Sequence, residues 1–581
     1  MIEDYLLQAR KPARYIGEEW NVSKKDFSRA EIKFALCFPD LYEVGMSNLG
    51  LRIIYGILNN LPKVVCERFF APAQDWENIL RSNNLEITSL ESKQGLKAFD
   101  FVGFSLGYEL SYTNVLNILD LGGIPLKASL RDHKFPLVIG GGPSVLNPEP
   151  GHAFFDLFFI GEAEEAIKEI VDLYEKFKIE FKSGEISKEE LLIKFSAIAG
   201  VYVPSLYEVN YTEAGQIKEF SPRFPQAPKK IKKRIVEDFN QAYFPCAWIV
   251  PFIEIVHDRI TLEIMRGCPN TCRFCQARQL YYPFRVKKVD KLMELAETTY
   301  KNTGYEEISL AGLSVSDYPF LEDLLGKLIT RFKEDAVSIS LPSIKPKILL
   351  GNLAALIATI KKTSLTFAPE VASDKLRRVI NKDFDLAVFT TALKQAYSAG
   401  YQRVKLYFLI GLPFEDNSDL DAILEFTKNV SELRRELNLG PAQVNISINT
   451  LIPKPHTSFQ WLAMLGLEEI KSRENYLKSK LKNKRIKLNF HYPEMSFLEG
   501  VISRGDRRLS EVIEGAFKKG CRFDAWDEHF AFQKWLEAFA EAKLDPQVYL
   551  QEKSKDSILP WDFIEPGISK ELLLQDVPET Y

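Results

Sequence analysis

Residues 260–275 read ITLEIMRGCPNTCRFC: an apolar strand that runs straight into Cys268, Cys272 and Cys275. Thiolates are soft ligands, suited to zinc or to iron–sulfur clusters. A structural zinc takes four ligands, usually from paired knuckles. No fourth Cys or His lies near this loop, and the nearest upstream candidates are Cys246 and His257. Three thiolates on one loop hold three irons of a cubane and leave the fourth iron open to a substrate.

Working outward, strand candidates recur downstream at 307–310, 337–341, 364–368, 403–410 and 444–451, with helix-length stretches between them. Six such strands predict a partial (β/α)6 barrel over residues 256–461, with its chemistry on the loops after the strands. Upstream, residues 33–38 (KFALCF), 101–106 (FVGFSL), 137–139 and 157–160 alternate with helical segments at 49–58 and 112–121. That alternation predicts a doubly wound parallel sheet over residues 1–180, preceded by a short charged helix. Residues 181–255 read as a linker with a small β element, because Pro222, Pro225 and Pro228 precede the basic run 229–234. Residues 462–581 read as mainly helical and polar, anchored by Trp526, Trp535 and Trp561. The fold class is therefore α/β with a helical carboxyl-terminal region.

The bulk numbers narrow the choices. Lys and Arg total 75 against 79 Asp and Glu, a net charge of −4, which excludes a globally basic nucleic-acid coat. No apolar run is long enough to cross a membrane, and the opening MIEDYLLQARKPARY lacks the apolar centre of a signal peptide. These features predict a cytoplasmic protein. Its seven cysteines do not form a disulfide framework in so long a chain.

The cysteine spacing, with Phe274 before the last cysteine and a strand before the first, resembles the signature of the radical S-adenosylmethionine (SAM) superfamily. The resemblance implies a [4Fe–4S] cluster on Cys268, Cys272 and Cys275 whose open iron chelates SAM. Electron transfer then cleaves SAM to a 5′-deoxyadenosyl radical, with a flavodoxin or ferredoxin as reductant. It further implies SAM contacts from Phe274, from Gly312 and Ser314 after the second strand, and from Glu370 after the fourth. Lys405 and Gly411 of the fifth strand segment and Asn445 of the sixth complete that set.

The amino-terminal segments FPDLYEVGMSNLGL, VGFSLGYELSYTNVL, PLVIGGGPSVLNPEP and FDLFFIGEAEEAI look like strand ends of a cobalamin-binding domain. That likeness implies corrinoid contacts from Ser105, Gly141, Gly142, Gly161 and Glu162, and from Tyr42 and Gly45. Residues 40–45 (DLYEVG) match the outline D-x-H-x-x-G, with Tyr42 where the cobalt-ligating histidine would stand. Together with PKPHTSFQW and the tail, the whole chain resembles a radical SAM subgroup that has a cobalamin-binding-like domain and no assigned substrate. Members of that subgroup continue into a cysteine-rich tail, absent from this sequence, so no second metal site is expected.

In the tail, Arg504, Asp506, Arg507 and Arg508, with Asp524, Asp527, Glu528 and His529 beyond, are expected to make salt bridges onto the barrel. The alternative is a substrate wall over its mouth. His456, His491 and Cys521 read as structural residues. The basic stretches 229–234 and 471–487 read as solvated faces rather than an RNA track. The leading expectation is a cobalamin-dependent radical SAM methyltransferase acting on an unactivated carbon. A non-methylating radical rearrangement or oxidation with a degenerate cobalamin domain is the nearest alternative. An RNA-binding maturation factor with a structural cluster is the third, since RNA or a ribosomal component remains an open substrate.

Overall fold

A computed structural model of the chain describes residues 2–341, 345–346 and 365–578. Strands β1 (Ile32–Phe38), β2 (Val64–Phe70), β3 (Phe101–Ser105), β4 (Leu137–Gly141), β5 (Leu157–Phe159) and β6 (Val201–Tyr202) form one sheet in the order β2-β1-β3-β4-β5-β6. The first five are parallel, and β6 runs antiparallel to β5. Seven of seven residues of β2 and six of seven of β1 are buried, as expected where helices cover both faces. The sheet thus continues past residue 180. Its last strand has two residues, too few to show a period in sequence.

The linker contains an antiparallel hairpin, β7 (Tyr207–Tyr211) and β8 (Ile217–Pro222), followed by β9 (Ile231–Lys232) inside the basic run. In the second α/β unit, β10 (Ile260–Glu263) leads into the ribbon β11 (Met265–Arg266) and β12 (Arg285–Val286), and the cysteine loop lies between these two. Strands β13 (Glu307–Ala311) and β14 (Ser338–Ser340) pair in parallel beside β10. A second parallel sheet follows: β15 (Leu365–Glu370), β16 (Arg403–Ile410), β17 (Gln443–Thr450) and β18 (Ile486–Phe490). The six expected strands are joined by β18, which carries the barrel past residue 461. Its apolar residues Ile486, Leu488 and Phe490 alternate with Lys487 and Asn489 inside a basic stretch, which hid it.

The carboxyl-terminal helices correct an expectation. Pro493–Ser503, Leu509–Lys518 and Phe532–Glu541 share one apolar core with the amino-terminal sheet, not with the barrel. The polar contacts agree. Arg507 reaches Glu149 at 2.6 Å, Asn147 donates to the carbonyls of Ser503 and Gly505, and Thr113 donates to Asp524 at 2.6 Å. The last strand, β19 (Ile564–Glu565), pairs with β9 and ties the tail to the linker. Arg504 is buried without a carboxylate, donating instead to the carbonyls of Pro453, Tyr549 and Gln551.

Asp524 is buried, held by Thr113 and by Trp535 Nε1, and burial raises its carboxyl from 3.8 to about 6. The native state therefore keeps a proton that the unfolded chain releases first. Stability conferred by that proton is complete below pH 4 and is lost as pH rises toward 6, by about 3 kcal/mol. Denaturant titrations at pH 4.5 and 7 are expected to show this loss, and Asp524→Asn to flatten it. An unchanged slope in the variant would refute the assignment.

Candidate functional site

The cysteine loop is held from four sides. Gly267 sits at φ +83°, and a Cβ there would lie 2.7 Å from the Pro283 carbonyl oxygen, so the turn into Cys268 requires glycine. Arg273 donates to the carbonyls of Arg378 and Val379 and pairs with Asp576, at 2.9 Å, from the far end of the chain. Asn381 bonds Thr271 through its side chain. Phe274 packs on the small core of Val371, Leu376 and Ile380. This anchoring leaves all three cysteines partly exposed.

Burial pushes the Cys272 thiol up to about 11, opposed by the nearby Lys382 ammonium, and burial also raises Cys275. Without a metal these groups are thiols, so metal uptake must release their protons. Among the described residues no three His, Cys, Asp or Glu side chains converge as a single ion requires. Three thiolates on one loop suit a cubane that keeps one iron open.

Around Cys268 lies a network that sequence reading missed. Asn270 Nδ2 donates to Cys268 Sγ at 3.1 Å and to Asp317 at 3.0 Å. Lys345 donates to Asn270 Oδ1 at 2.9 Å and pairs with Asp317 at 2.6 Å, and Ser314 donates to Asp317 at 2.7 Å. The lysine fixes which way the amide points, because an ammonium can only donate. Only Ser314 and Cys268 carried a sequence signal, since the network forms only where the cysteine loop, the turn after β13 and Lys345 meet. Gly312 stands where a Cβ would lie 2.4 Å from Met265, so it admits the side chain that precedes the cysteine loop.

Glu370, at the end of β15, pairs with Lys382 at 2.9 Å. The Gly411 amide donates to Glu415, whose carboxylate is buried and paired with Arg473. Phe274, Gly312, Ser314, Glu370 and Gly411 thus gather at the carboxyl ends of the barrel strands. Lys405 and Asn445 do not. They pair in register near the amino ends of β16 and β17, about 16 Å below the mouth at ~3.3 Å per residue.

In the amino-terminal unit, Tyr42 is turned inward. Its hydroxyl donates to Glu19 at 2.8 Å, and its ring meets Phe70 edge-on. Gly45 packs so tightly that a Cβ would meet the Phe70 ring at 2.3 Å. Gly161, at φ +121°, pairs with Arg234 of the linker, and a Cβ would lie 2.2 Å from the Arg234 carbonyl oxygen. Glu162 accepts from Arg285 and the Val236 amide and lies 3.2 Å from Arg266, binding this unit to the ribbon that carries the cysteine loop.

A corrinoid finds two different edges here. On the β3–β4 side, Gly107 is exposed and Ser105 and Gly141 are partly exposed, and nothing lies within 4 Å of where a Gly107 Cβ would stand. Gly142 there passes the Leu106 backbone closely, 2.6 Å from an added Cβ. On the β1 side, Trp526 Nε1 donates to Asp40 at 3.0 Å, and Asn114 bonds Pro39 and Phe523. The open side could hold a flat ring through Ser105, Gly107 and Gly141, whereas Tyr42 on the closed side offers a phenol engaged with Glu19.

The two open ends face each other. Lys454, after β17, pairs at 2.7 Å with both Glu109, after β3, and Glu499. Tyr108 donates to Glu499 at 2.5 Å. His456 Nε2 donates to the Leu146 carbonyl, after β4, at 3.0 Å, and burial lowers that imidazole to about 3, so it is a neutral structural link. His491 bonds Ser496.

An open parallel barrel whose first strand delivers three cysteines to its mouth defines an iron–sulfur enzyme with a co-substrate at the cluster. The chain belongs to the radical SAM superfamily: residues 262–427 match the family model described as "Radical SAM superfamily", and residues 50–204 match "Radical SAM proteins, N-terminal". Membership brings a [4Fe–4S] cluster and SAM. The chain is 28% identical over 513 residues to an uncharacterized protein of Methanocaldococcus jannaschii, covering 87% of this chain and 96% of that one. A shorter likeness, 25% over 202 residues, covers 32% of this chain and 43% of the ribosomal protein uS12 methylthiotransferase RimO of Pelotomaculum thermopropionicum. Among solved structures, the methyltransferase TsrM of Kitasatospora setae, with cobalamin and a [4Fe–4S] cluster bound, is similar at TM-score 0.46 and 11% identity over 72% of this chain and 74% of that one. OxsB with aqua-cobalamin bound is similar at TM-score 0.35 and 13% identity, over 92% of this chain and 60% of that one. Among the described residues no helix is long and apolar enough to cross a membrane.

Proposed function

We propose that Cys268, Cys272 and Cys275 hold the cluster and that this enzyme methylates an unactivated carbon. The substrate would lie in the seam between the barrel mouth and the β3–β4 edge. The observation that carries this reading is the meeting of the two carboxyl ends through Lys454, Glu109 and Glu499, which brings the cysteine-bearing mouth and the β3–β4 edge together. Cys268, Cys272 and Cys275 would hold the cluster that provides the electron for SAM cleavage, and Ser105, Gly107 and Gly141 would hold the cobalamin that provides the methyl group. The chain's own part is to orient and to exclude water. Phe274 and the Arg273–Asp576 pair fix the cysteine loop, Glu370 offers a carboxylate at the mouth, and the Lys454 cluster closes the seam.

Anaerobic incubation of iron- and cobalamin-loaded protein with methyl-labelled SAM tests this. Label in a product, with one corrinoid bound per chain, is the expected result. Formation of 5′-deoxyadenosine with no label transferred and no corrinoid bound would sink it and leave the non-methylating radical reaction. The Tyr42–Glu19 bond favours that second reading, because the side chain at the position of the ligating histidine is a phenol turned inward to Glu19.

The same loop yields a sharper expectation. Asn270→Ala removes the amide that donates to Cys268 Sγ. An N–H···S bond favours the more negative, reduced cluster, so the variant should be harder to reduce. In a dye-mediated potentiometric titration, the reduced-to-oxidised ratio at a fixed potential is expected to fall about tenfold, equivalent to ~59 mV. Asn270→Gln should recover part of it, and an unchanged midpoint would refute the role.

A further inference from the structure

Barrel interiors are ordinarily filled by bulky branched side chains, but among the described residues the inner faces of β16 and β17 include Lys405, Tyr407, Asn445 and Ser447. In β16 the even-numbered residues Val404, Leu406, Phe408 and Ile410 are buried outward, so the odd-numbered ones line the inside. The same alternation turns Asn445 inward from β17, where it is exposed. Register places Lys405, Asn445 and Lys487 side by side across three strands. One step toward the amino ends, Arg403 pairs with Gln443, and Arg485 accepts from the Val444 amide through its carbonyl.

Arg403, Arg485 and Lys487 are exposed and Lys405 half-buried. Among the described residues none of the four has a carboxylate partner. Several other cations of the basic stretches are already engaged. Lys471, Arg473, Lys478 and Lys480 are each paired with an acid. Within the linker run, Lys233 is caged by three carbonyls and Arg234 is paired with Glu169. The Lys405 ammonium lies 4.8 Å from the Tyr407 ring, which shares the inner face.

We propose that this floor binds the phosphates of a single-stranded RNA segment, which makes RNA the substrate class served by the barrel. Four unpaired cations in two rungs, strand spacing of ~4.8 Å, exposed amides and an aromatic face are what a flexible polynucleotide needs: charge for its backbone and donors and a ring for its bases. The floor lies toward the amino ends of β16, β17 and β18, and the inner face of these strands runs from it to the mouth. The inference goes beyond the methylation reading and is tested without SAM or reductant, so either can fail alone.

The test is fluorescence anisotropy of a labelled single-stranded 12-mer RNA with the iron-loaded full chain, across a salt series. The combined variant Arg403→Ala, Lys405→Ala, Arg485→Ala, Lys487→Ala is expected to weaken binding at least about tenfold and to lower the salt slope by about 3, at ~0.7 for each phosphate no longer neutralised. Lys291→Ala with Lys327→Ala, on the outer helices, should change neither. Iron content and circular dichroism check that the combined variant is folded. Unchanged affinity and slope in the folded variant would overturn the proposal, as would absence of RNA binding by the unmodified chain. Displacement of the RNA by GTP at equal phosphate concentration would overturn it in favour of a small-nucleotide site.

Discussion

Cys268→Ala, Cys272→Ala and Cys275→Ala are each expected to lose the iron–sulfur absorbance and to abolish 5′-deoxyadenosine formation. The fall should exceed the roughly 100-fold that outer-sphere changes reach at metal sites. A cubane with two protein ligands exposes a second iron and does not hold SAM in one orientation, so binding and chemistry fail together. Cys246→Ala is the control. That thiol is half-buried beside the Phe244 carbonyl, away from the loop, and its loss should leave iron and sulfide content unchanged. Iron and sulfide analysis after anaerobic reconstitution decides the matter. A Cys272→Ala protein with full iron and normal SAM cleavage would remove the cluster assignment altogether.

The largest effect on stability is expected at Arg68. It lies on β2, 1% exposed, with Glu19 at 2.7 Å on one side of its guanidinium and Glu91 at 2.7 Å on the other. Tyr42 bonds the same Glu19. Burial raises Glu91 while the guanidinium, beside Glu19, holds that carboxyl below its usual range. Arg68→Ala leaves two buried carboxylates without a cation, a change that costs about 3–5 kcal/mol. Denaturant unfolding should show a lower midpoint, partly recovered when Glu91→Gln is added, because one uncompensated charge is then removed. If Arg68→Ala unfolds with an unchanged midpoint, the network is not what holds the amino-terminal segment to the sheet. Partial recovery by Glu91→Gln keeps the test informative even where the single variant fails to fold.

These predictions depend on the fold to different degrees. The cysteine loop was legible because its information is local: three thiols, an aromatic residue and a preceding strand lie within sixteen consecutive residues. Apart from β2, β6 and β18, the strands of the two α/β units were legible because alternation and apolar runs are local too. The buried charges of β2 were not. Glu67 and Arg68 break an otherwise apolar strand, and their partners lie 23 to 49 residues away. Glu162 was singled out for a corrinoid, whereas the fold pairs it with Arg285, 123 residues on.

The sequence by itself thus determined the three-cysteine loop, the order of the two α/β units and the superfamily, all carried by short-range spacing. Only the tertiary structure decided what steadies the cysteine loop. Asp576 reaches Arg273 across 303 residues, and Lys345 and Asp317 meet Asn270 from two other loops. It also decided that the carboxyl-terminal helices cover the amino-terminal sheet, and that four scattered cations line one open barrel floor. Such contacts form between chain segments brought together by the burial of their apolar faces, and no periodicity within either segment records which partner it will meet.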